Sequence, residues 1–304
     1  MFSSIFFHIL LLVGLSPLLP GIIAKTKALV AGRKGPPMLQ LYHDIWKLFR
    51  KGMVISKTTT WVFRAGPIVG FAVPVLAGLL IPFGTMDALL SFTGDLILFV
   101  YLLGLARFFT VLAALDTGSS FEGMGAAREA TFSVLVEPTV FVAFLVLART
   151  SGSLTLDTML SAGAKGELFH GPATMSLILI SFCLFIVLLV ENCRIPFDDP
   201  DTHLELTMIH EVMVLDHSGP DLGLILYGAA MKLLLSAALV LDLILPSAGN
   251  VVVDCLAFVV GLLLLAVCIG LVESAMARLR LIRIPQLLVG TTLLSFFALI
   301  LILR

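Results

Sequence analysis

Apolar residues in this chain gather into long unbroken runs instead of alternating with polar ones. A helix rises 1.5 Å per residue, so about 20 apolar residues cross a hydrocarbon core about 30 Å thick. Runs of that length lie at about 3–23, 65–84, 95–115, 131–149, 173–191, 222–243, 251–272 and 285–303, which predicts eight membrane-spanning helices. The expected fold is an all-α integral membrane bundle, with residues 1–304 forming a single polytopic domain. No basic segment precedes the first run and further spans follow it, so it reads as a retained helix and not as a cleaved signal peptide.

Between the runs the period changes. Over Leu39–Lys51 the apolar side chains of Leu41, Ile45, Leu48 and Phe49 fall on one helical face, with Lys47, Arg50 and Lys51 nearer the other. This is the pattern of an amphipathic helix lying at the membrane surface, where anionic headgroups alone would also retain it. Ahead of it Gly32-Arg-Lys-Gly-Pro-Pro37 cannot continue a helix, because successive prolines lack the amide donor and hold an extended backbone. It is expected to be a structured turn. The stretch 150–172 reads as an ordinary connection, and no internal repeat is evident.

Composition agrees with the runs. With 59% hydrophobic and 13% charged residues and a mean hydropathy of +1.11, the chain excludes a water-soluble globular enzyme and belongs in lipid. Basic residues are distributed unequally. The connecting segments 24–64, 116–130, 192–221 and 273–284 hold nine, one, one and three of them, against Arg149, Lys165 and Arg304 on the other side. The positive-inside bias therefore puts these four segments in the cytoplasm and both termini outside. Cys183, Cys193, Cys255 and Cys268 are scattered without a C-x-x-C pair, which argues against a disulfide, zinc or an iron–sulfur cluster, and no cofactor is expected on this chain.

A charge inside a span is expensive, about 2.5–3.5 kcal/mol on insertion scales, so it is expected to turn inward. Arg107, Glu137, Lys232 and Asp242 are such charges. Glu129, Ser133 and Glu137 follow at i, i+4 and i+8, which keeps both carboxylates near one helical face. That series would suit proton transfer, because desolvation raises a carboxylate's pKa while a nearby Arg107 or Lys232 lowers it. Structural ion pairs that lock the helices together are the equal alternative.

Residues 191–221 are the densest polar stretch, with eight of the twenty carboxylates and three of the six histidines. Glu191, Asp198, Asp201, Glu205 and Glu211 are its candidate functional acids, and the run from Asp201 reads as a short helix with Asp201 and Glu205 on a shared face. His203, His210 and His217 recur every seven residues, a spacing that could place them on one helical face. Two turns separate successive imidazoles by roughly 10 Å, too far to share one metal ion. His210-Glu211 also lacks the second histidine of a zinc protease motif. Proton handling or docking fits these residues better.

Several motifs together resemble one family along nearly the whole chain. They are Gly32-Arg-Lys-Gly-Pro-Pro-Met-Leu-Gln40 with Asp44 and Lys47-Leu48, Leu115-Asp-Thr-Gly-Ser119, Gly125-Ala-Ala-Arg-Glu-Ala130 and Val136-Glu-Pro138. Glu191-Asn-Cys-Arg-Ile-Pro-Phe-Asp198, Glu205-Leu206 and Glu273-Ser-Ala-Met-Ala-Arg-Leu-Arg-Leu281 complete the set. This resembles the membrane anchor subunit shared by respiratory complex I, where it forms the quinone chamber, and the energy-converting nickel–iron hydrogenases. The complex I pattern has a Gly-Pro-Asn-Arg-type run and a glutamate after the following lysine, where this chain has Arg33-Lys-Gly-Pro36 and Lys51-Gly52. Asp116-Thr-Gly118 and the Ala-Arg-Leu-Arg run resemble the formate hydrogenlyase branch instead.

The resemblance implies an eight-helix anchor in a prokaryotic cytoplasmic (inner) membrane, itself without redox chemistry. Hydrogenase-like large and small subunits and a ferredoxin-like subunit would dock on its cytoplasmic face, carrying the nickel–iron centre and iron–sulfur clusters, with antiporter-like subunits beside it in the bilayer and no nucleic acid involved. It further implies that Glu129, Glu137, Glu191, Asp198, Asp201 and Glu205 match the family's acidic path, with Arg194, Arg278 and Arg280 as charge partners. His203 and Glu211 have no secure complex I counterpart and stand as candidates, beside Arg107 and Lys232 from the spans. Two other functions stay open at this point, a quinone-binding subunit of a complex I-like enzyme and a stand-alone secondary ion transporter. A transporter usually shows internal repeats, which are not evident here.

Overall fold

The computed structural model describes residues 2–164, 173–198 and 208–303. It contains α1 (Phe2–Ile9), a π-helical stretch (Leu10–Leu15), α2 (Leu18–Val30), α3 (Gln40–Phe49), α4 (Trp61–Gly78), α5 (Asp95–Asp116) and α6 (Ser120–Ser151). After these come α7 (Leu156–Ala164), α8 (Thr174–Glu191), α9 (His210–Met213), α10 (Gly219–Ile244), α11 (Val251–Ala275) and α12 (Arg283–Leu303). Eight segments are long and apolar enough to span a bilayer, beginning with Phe6–Val30, so the expected all-α membrane bundle is borne out. No strand occurs among the described residues.

Helix α10 is the axis of the bundle and the most buried of the eight. It packs against α4, α8 and α11, and against the two short helices α3 and α7. The pairs α4–α5, α5–α6, α6–α8, α8–α10 and α10–α4 close a ring of five helices, while α2 with α11 and α12 with α6 and α8 build outward from it. Small residues allow the closest approach. Pro74 has no amide hydrogen to give Gly70, and the backbone of Gly228 packs onto that carbonyl so tightly that an added Cβ would lie 2.3 Å from the oxygen.

The first span shows how backbone groups are satisfied away from water. Pro17 cannot donate to the carbonyl of Val13, and the Tyr227 hydroxyl donates there instead at 2.6 Å. Tyr42 on α3 donates to the next carbonyl, Gly14. The expected surface helix is present, with Ile45 buried and Leu41 and Leu48 half-buried against the bundle. Phe49, expected on that face, is exposed, as is Trp46, which carries the Arg50 guanidinium 4.5 Å above its ring.

Several boundaries differ from expectation. The fourth span starts at Ser120 and not near 131, and at 32 residues it is about 48 Å long, so it stands beyond a 30 Å core. The second begins at Trp61, where Thr60 caps it by accepting from Val62 and is itself held by Asp116 at the end of α5. It ends at Gly78, so 79–84 form a turn. The connection 150–172 contains α7, whose Leu156, Met159 and Leu160 are fully buried. The expected helix from Asp201 falls outside the described residues.

Candidate functional site

Helix α8 ends inside the protein. Its last residue, Glu191, meets Arg107, nine residues before the end of α5, and Lys232, thirteen residues after the start of α10. Those offsets correspond to about 14 and 20 Å of helix. A helix terminus leaves carbonyls unpaired and carries partial negative charge. Lys232 Nζ donates to the Glu191 carbonyl at 2.6 Å, and Asn192 Nδ2 donates to Leu188 at 2.8 Å. A carboxylate at such an end would be unfavourable alone, and two cations hold it there.

The guanidinium of Arg107 joins three acids. Its Nη2 lies 2.5 and 2.6 Å from the two Glu191 oxygens, its Nη1 3.5 Å from Glu137 and its Nε 3.6 Å from Glu129. Lys232 Nζ stands 2.9 Å from Glu191 Oε2. Three carboxylates and two cations thus share one contiguous network with one negative charge in excess when all are ionised. Glu129, Glu191 and Arg107 are largely buried, whereas Glu137, beside Pro138, is half exposed on α6.

The network divides two cavities. The larger, about 220 Å³, lies inside the five-helix ring and is walled by Gly66, Gly70 and Pro74 of α4, Thr110 of α5, Glu129, Cys193, and His210 and Glu211 of α9. The smaller, about 60 Å³, holds Glu137 and Ser236 among Phe99, Phe144 and Leu239. Leu103, Arg107, Glu191 and Lys232 border both. A proton or a water chain passing from one to the other must therefore pass these charged groups.

Beyond α8 the chain turns sharply. Asp198 is buried, its Oδ2 accepting from the amides of Ile209 at 2.8 Å and His210 at 3.4 Å, and its Oδ1 from Arg278 at 2.8 Å. The same segment is tied by Leu279 N–H donating to the Pro196 carbonyl and by Arg128 donating to the Met208 carbonyl. Asp198 is thus a clamp on both sides of the 199–207 stretch. Arg194 pairs with Glu273 at 3.7 Å, and Lys27 of α2 reaches the same buried carboxylate at 3.2 Å.

His210 lines the large cavity, and burial together with Lys232 lowers its pKa to about 4. His217 follows in a turn, stacked 3.9 Å from the Phe63 ring and lowered by burial to about 4. The two do not share a helical face, since α9 stops at Met213. Among the described residues no three His, Cys, Asp or Glu side chains converge as metal ligands.

Five of the expected residues, Arg107, Glu129, Glu137, Glu191 and Lys232, are therefore brought together. Asp198 and Arg278 meet each other, Arg194 meets Glu273, Glu211 faces the large cavity and Arg280 is exposed. Asp201, His203 and Glu205 lie outside the described residues. Sequence reasoning missed Cys193, whose thiol donates to Glu129 at 3.9 Å from a left-handed backbone, and the Lys27–Glu273 pair. The available signal for Cys193 was its place two residues after Glu191 in the Glu191-Asn-Cys-Arg motif.

An α-helical multi-pass membrane protein with a buried acid–base network between internal cavities is the class these features define. The chain belongs to the NADH dehydrogenase family, whose model matches residues 2–303. It is 32% identical over 288 residues to formate hydrogenlyase subunit 4 of Escherichia coli strain K12, with 91% of each chain covered. It is 35% identical over 283 residues to hydrogenase-4 component C of the same organism, covering 90% of this chain and 87% of that one. A subunit of the NADH-quinone oxidoreductase of Anaplasma phagocytophilum is more distant, 26% identical over 266 residues, covering 77% of this chain and 76% of that one. The fold matches a chain of the membrane-bound sulfane sulfur reductase, an archaeal respiratory membrane complex, with a TM-score of 0.81, 22% identity and 99% of both chains covered.

Proposed function

We propose that this chain is the membrane-anchoring and energy-coupling subunit of a hydrogenase-type, formate hydrogenlyase-like oxidoreductase complex. The observation that carries the proposal is the Arg107–Glu129–Glu137–Glu191–Lys232 network placed between two cavities inside the bundle. Hydrogenase-like large and small subunits and a ferredoxin-like subunit, holding the nickel–iron centre and iron–sulfur clusters, dock on the face that carries α3 and residues 208–218. Antiporter-like subunits lie beside the bundle in a prokaryotic cytoplasmic membrane, and the excess of basic residues in 24–64 supports an orientation with that face inside and both termini outside.

Redox change in the docked arm displaces or reprotonates the acidic segment after Glu191, and Glu191 hands the change through Arg107 to Glu129 and Glu137. Coupling at this point needs no new charge in the membrane, because moving one proton among three carboxylates alters which of them Arg107 holds. In the assembled complex Glu137→Gln is expected to abolish redox-linked ion pumping. Unaltered pumping with normal assembly would refute the relay.

The large cavity supports a second reading, a quinone-binding subunit. At about 220 Å³ it is smaller than the roughly 300–1,000 Å³ usual for drug-sized ligands, so it ranks behind the relay. Quinone bound in the purified complex, or inhibition by quinone-site ligands, would favour it.

A further inference from the structure

At the end of the bundle opposite α3, two buried aspartates stand around a small cavity. Asp254, in the first turn of α11, accepts from the Ser247 hydroxyl and the Ala248 amide, both at 2.7 Å, so each of its oxygens is engaged. Asp242, near the end of α10, is 5% exposed and accepts from the Gly84 amide at 2.9 Å through Oδ1. Its Oδ2 is buried with no hydrogen-bond partner among the described residues. Gly84 can present that amide because its φ of +66° suits glycine, and an added Cβ would press on Phe258 at 3.3 Å.

The cavity between them is about 10 Å³, room for one ion or one water, and the Thr85 and Ser247 hydroxyls and both aspartates border it. No lysine, arginine or histidine does among the described residues. Asp95, at the start of α5, is a useful contrast: it is also fully buried at this end, but its two oxygens accept from Leu156 and Phe92 amides, which accounts for its charge. Asp242 has an oxygen left over, aimed into a space bordered by oxygen donors.

We propose that Asp242, Thr85 and Asp254 hold a small hard monovalent cation of the sodium type at this end of the bundle. An all-oxygen shell selects hard cations. Magnesium keeps several waters and calcium takes six to eight oxygens, and a space for a single occupant provides neither. The ion replaces the missing positive side chain and joins the 83–86 turn to the ends of α10 and α11.

The test uses the full chain purified in detergent, with its melting temperature followed as sodium chloride replaces choline chloride at constant ionic strength. Wild type is expected to show a saturable rise of several degrees. Asp242→Asn, which keeps the acceptor for Gly84, is expected to show none, and Thr85→Val to need at least tenfold more sodium. The site is overturned if wild type does not respond to sodium, if it responds to calcium and not to sodium, or if either variant responds as wild type does. Should Asp242→Asn fail to fold, Thr85→Val alone decides, since it leaves both carboxylates in place.

Discussion

Lys232 Nζ sits 2.9 Å from the carboxylate and 2.6 Å from the main-chain carbonyl of the same residue, Glu191. One ammonium therefore neutralises a side chain and caps the helix that carries it. Lys232→Met is expected to strand both acceptors and to destabilise the bundle by about 3–5 kcal/mol, as breaking a buried pair does. Loss of melting temperature in detergent, larger than that of Lys232→Arg, checks it.

Arg107 reaches Glu129, Glu137 and Glu191 because its guanidinium is a planar fork with five donors, which an ammonium cannot imitate. Arg107→Lys is expected to preserve charge and assembly yet lower redox-linked pumping at least tenfold. Pumping rate against assembled complex measures this, and equal rates would show that charge alone suffices.

Asp198 holds the amides that open α9 and the Arg278 guanidinium together. Asp198→Ala should release the 208–213 segment, seen as faster amide hydrogen exchange there, whereas α11 and α12 exchange as in wild type. Asp198→Asn should be milder, because it still accepts.

The carbonyl of Gly70 lies where a Cβ on Gly228 would be, 2.3 Å away, and backbone cannot swing aside as a side chain can. Gly228→Ala is expected to part α4 from α10 and to be destabilising by about 1–3 kcal/mol. A lower melting temperature and poorer membrane yield would follow.

His217 titrates from an unperturbed 6.5 down to about 4 because burial against Phe63 disfavours the imidazolium. Between those values the unfolded chain binds the proton and the folded chain does not, so stability rises with pH across that window. The contribution, up to about 3 kcal/mol, is complete above pH 6.5 and lost as pH falls toward 4. His217→Phe should flatten melting temperature between pH 7 and 5 relative to wild type.

The spans and three of the central residues were readable for one reason: charge inside an apolar run is too costly to be incidental, so Arg107, Glu137 and Lys232 marked themselves, while Glu129 was found by its helical spacing to Glu137 and Glu191 by heading the densest polar stretch. Their pairing was not readable, since Arg107 and Glu191 are 84 positions apart and only α6, packed on both α5 and α8, brings them together. The start of α6 was misplaced because Glu122, Arg128 and Glu129 depress hydropathy before 131. The helix forms there regardless, with Gly125 packed on Val212 and Glu122 accepting from the Asp216 amide. Likewise seven-residue spacing says nothing of a turn, and the stacking of His217 on Phe63 depends on where α4 happens to lie. Glu273 hid within a motif, its meeting with Lys27 and Arg194 made only by α11 lying along α2.

The ending of α8 inside the protein also has an electrical meaning. Cavities lie on both sides of the Arg107–Glu191–Lys232 layer, and if water joined them to opposite faces of the membrane it would carry the potentials of the two bulk phases to that layer. Nearly the whole membrane voltage would then fall across a few ångströms of side chain. A unit charge crossing the full potential exchanges about 2.3 kcal/mol per 100 mV. A shift of a single carboxylate's proton through this layer would exchange most of that energy without any helix having to move.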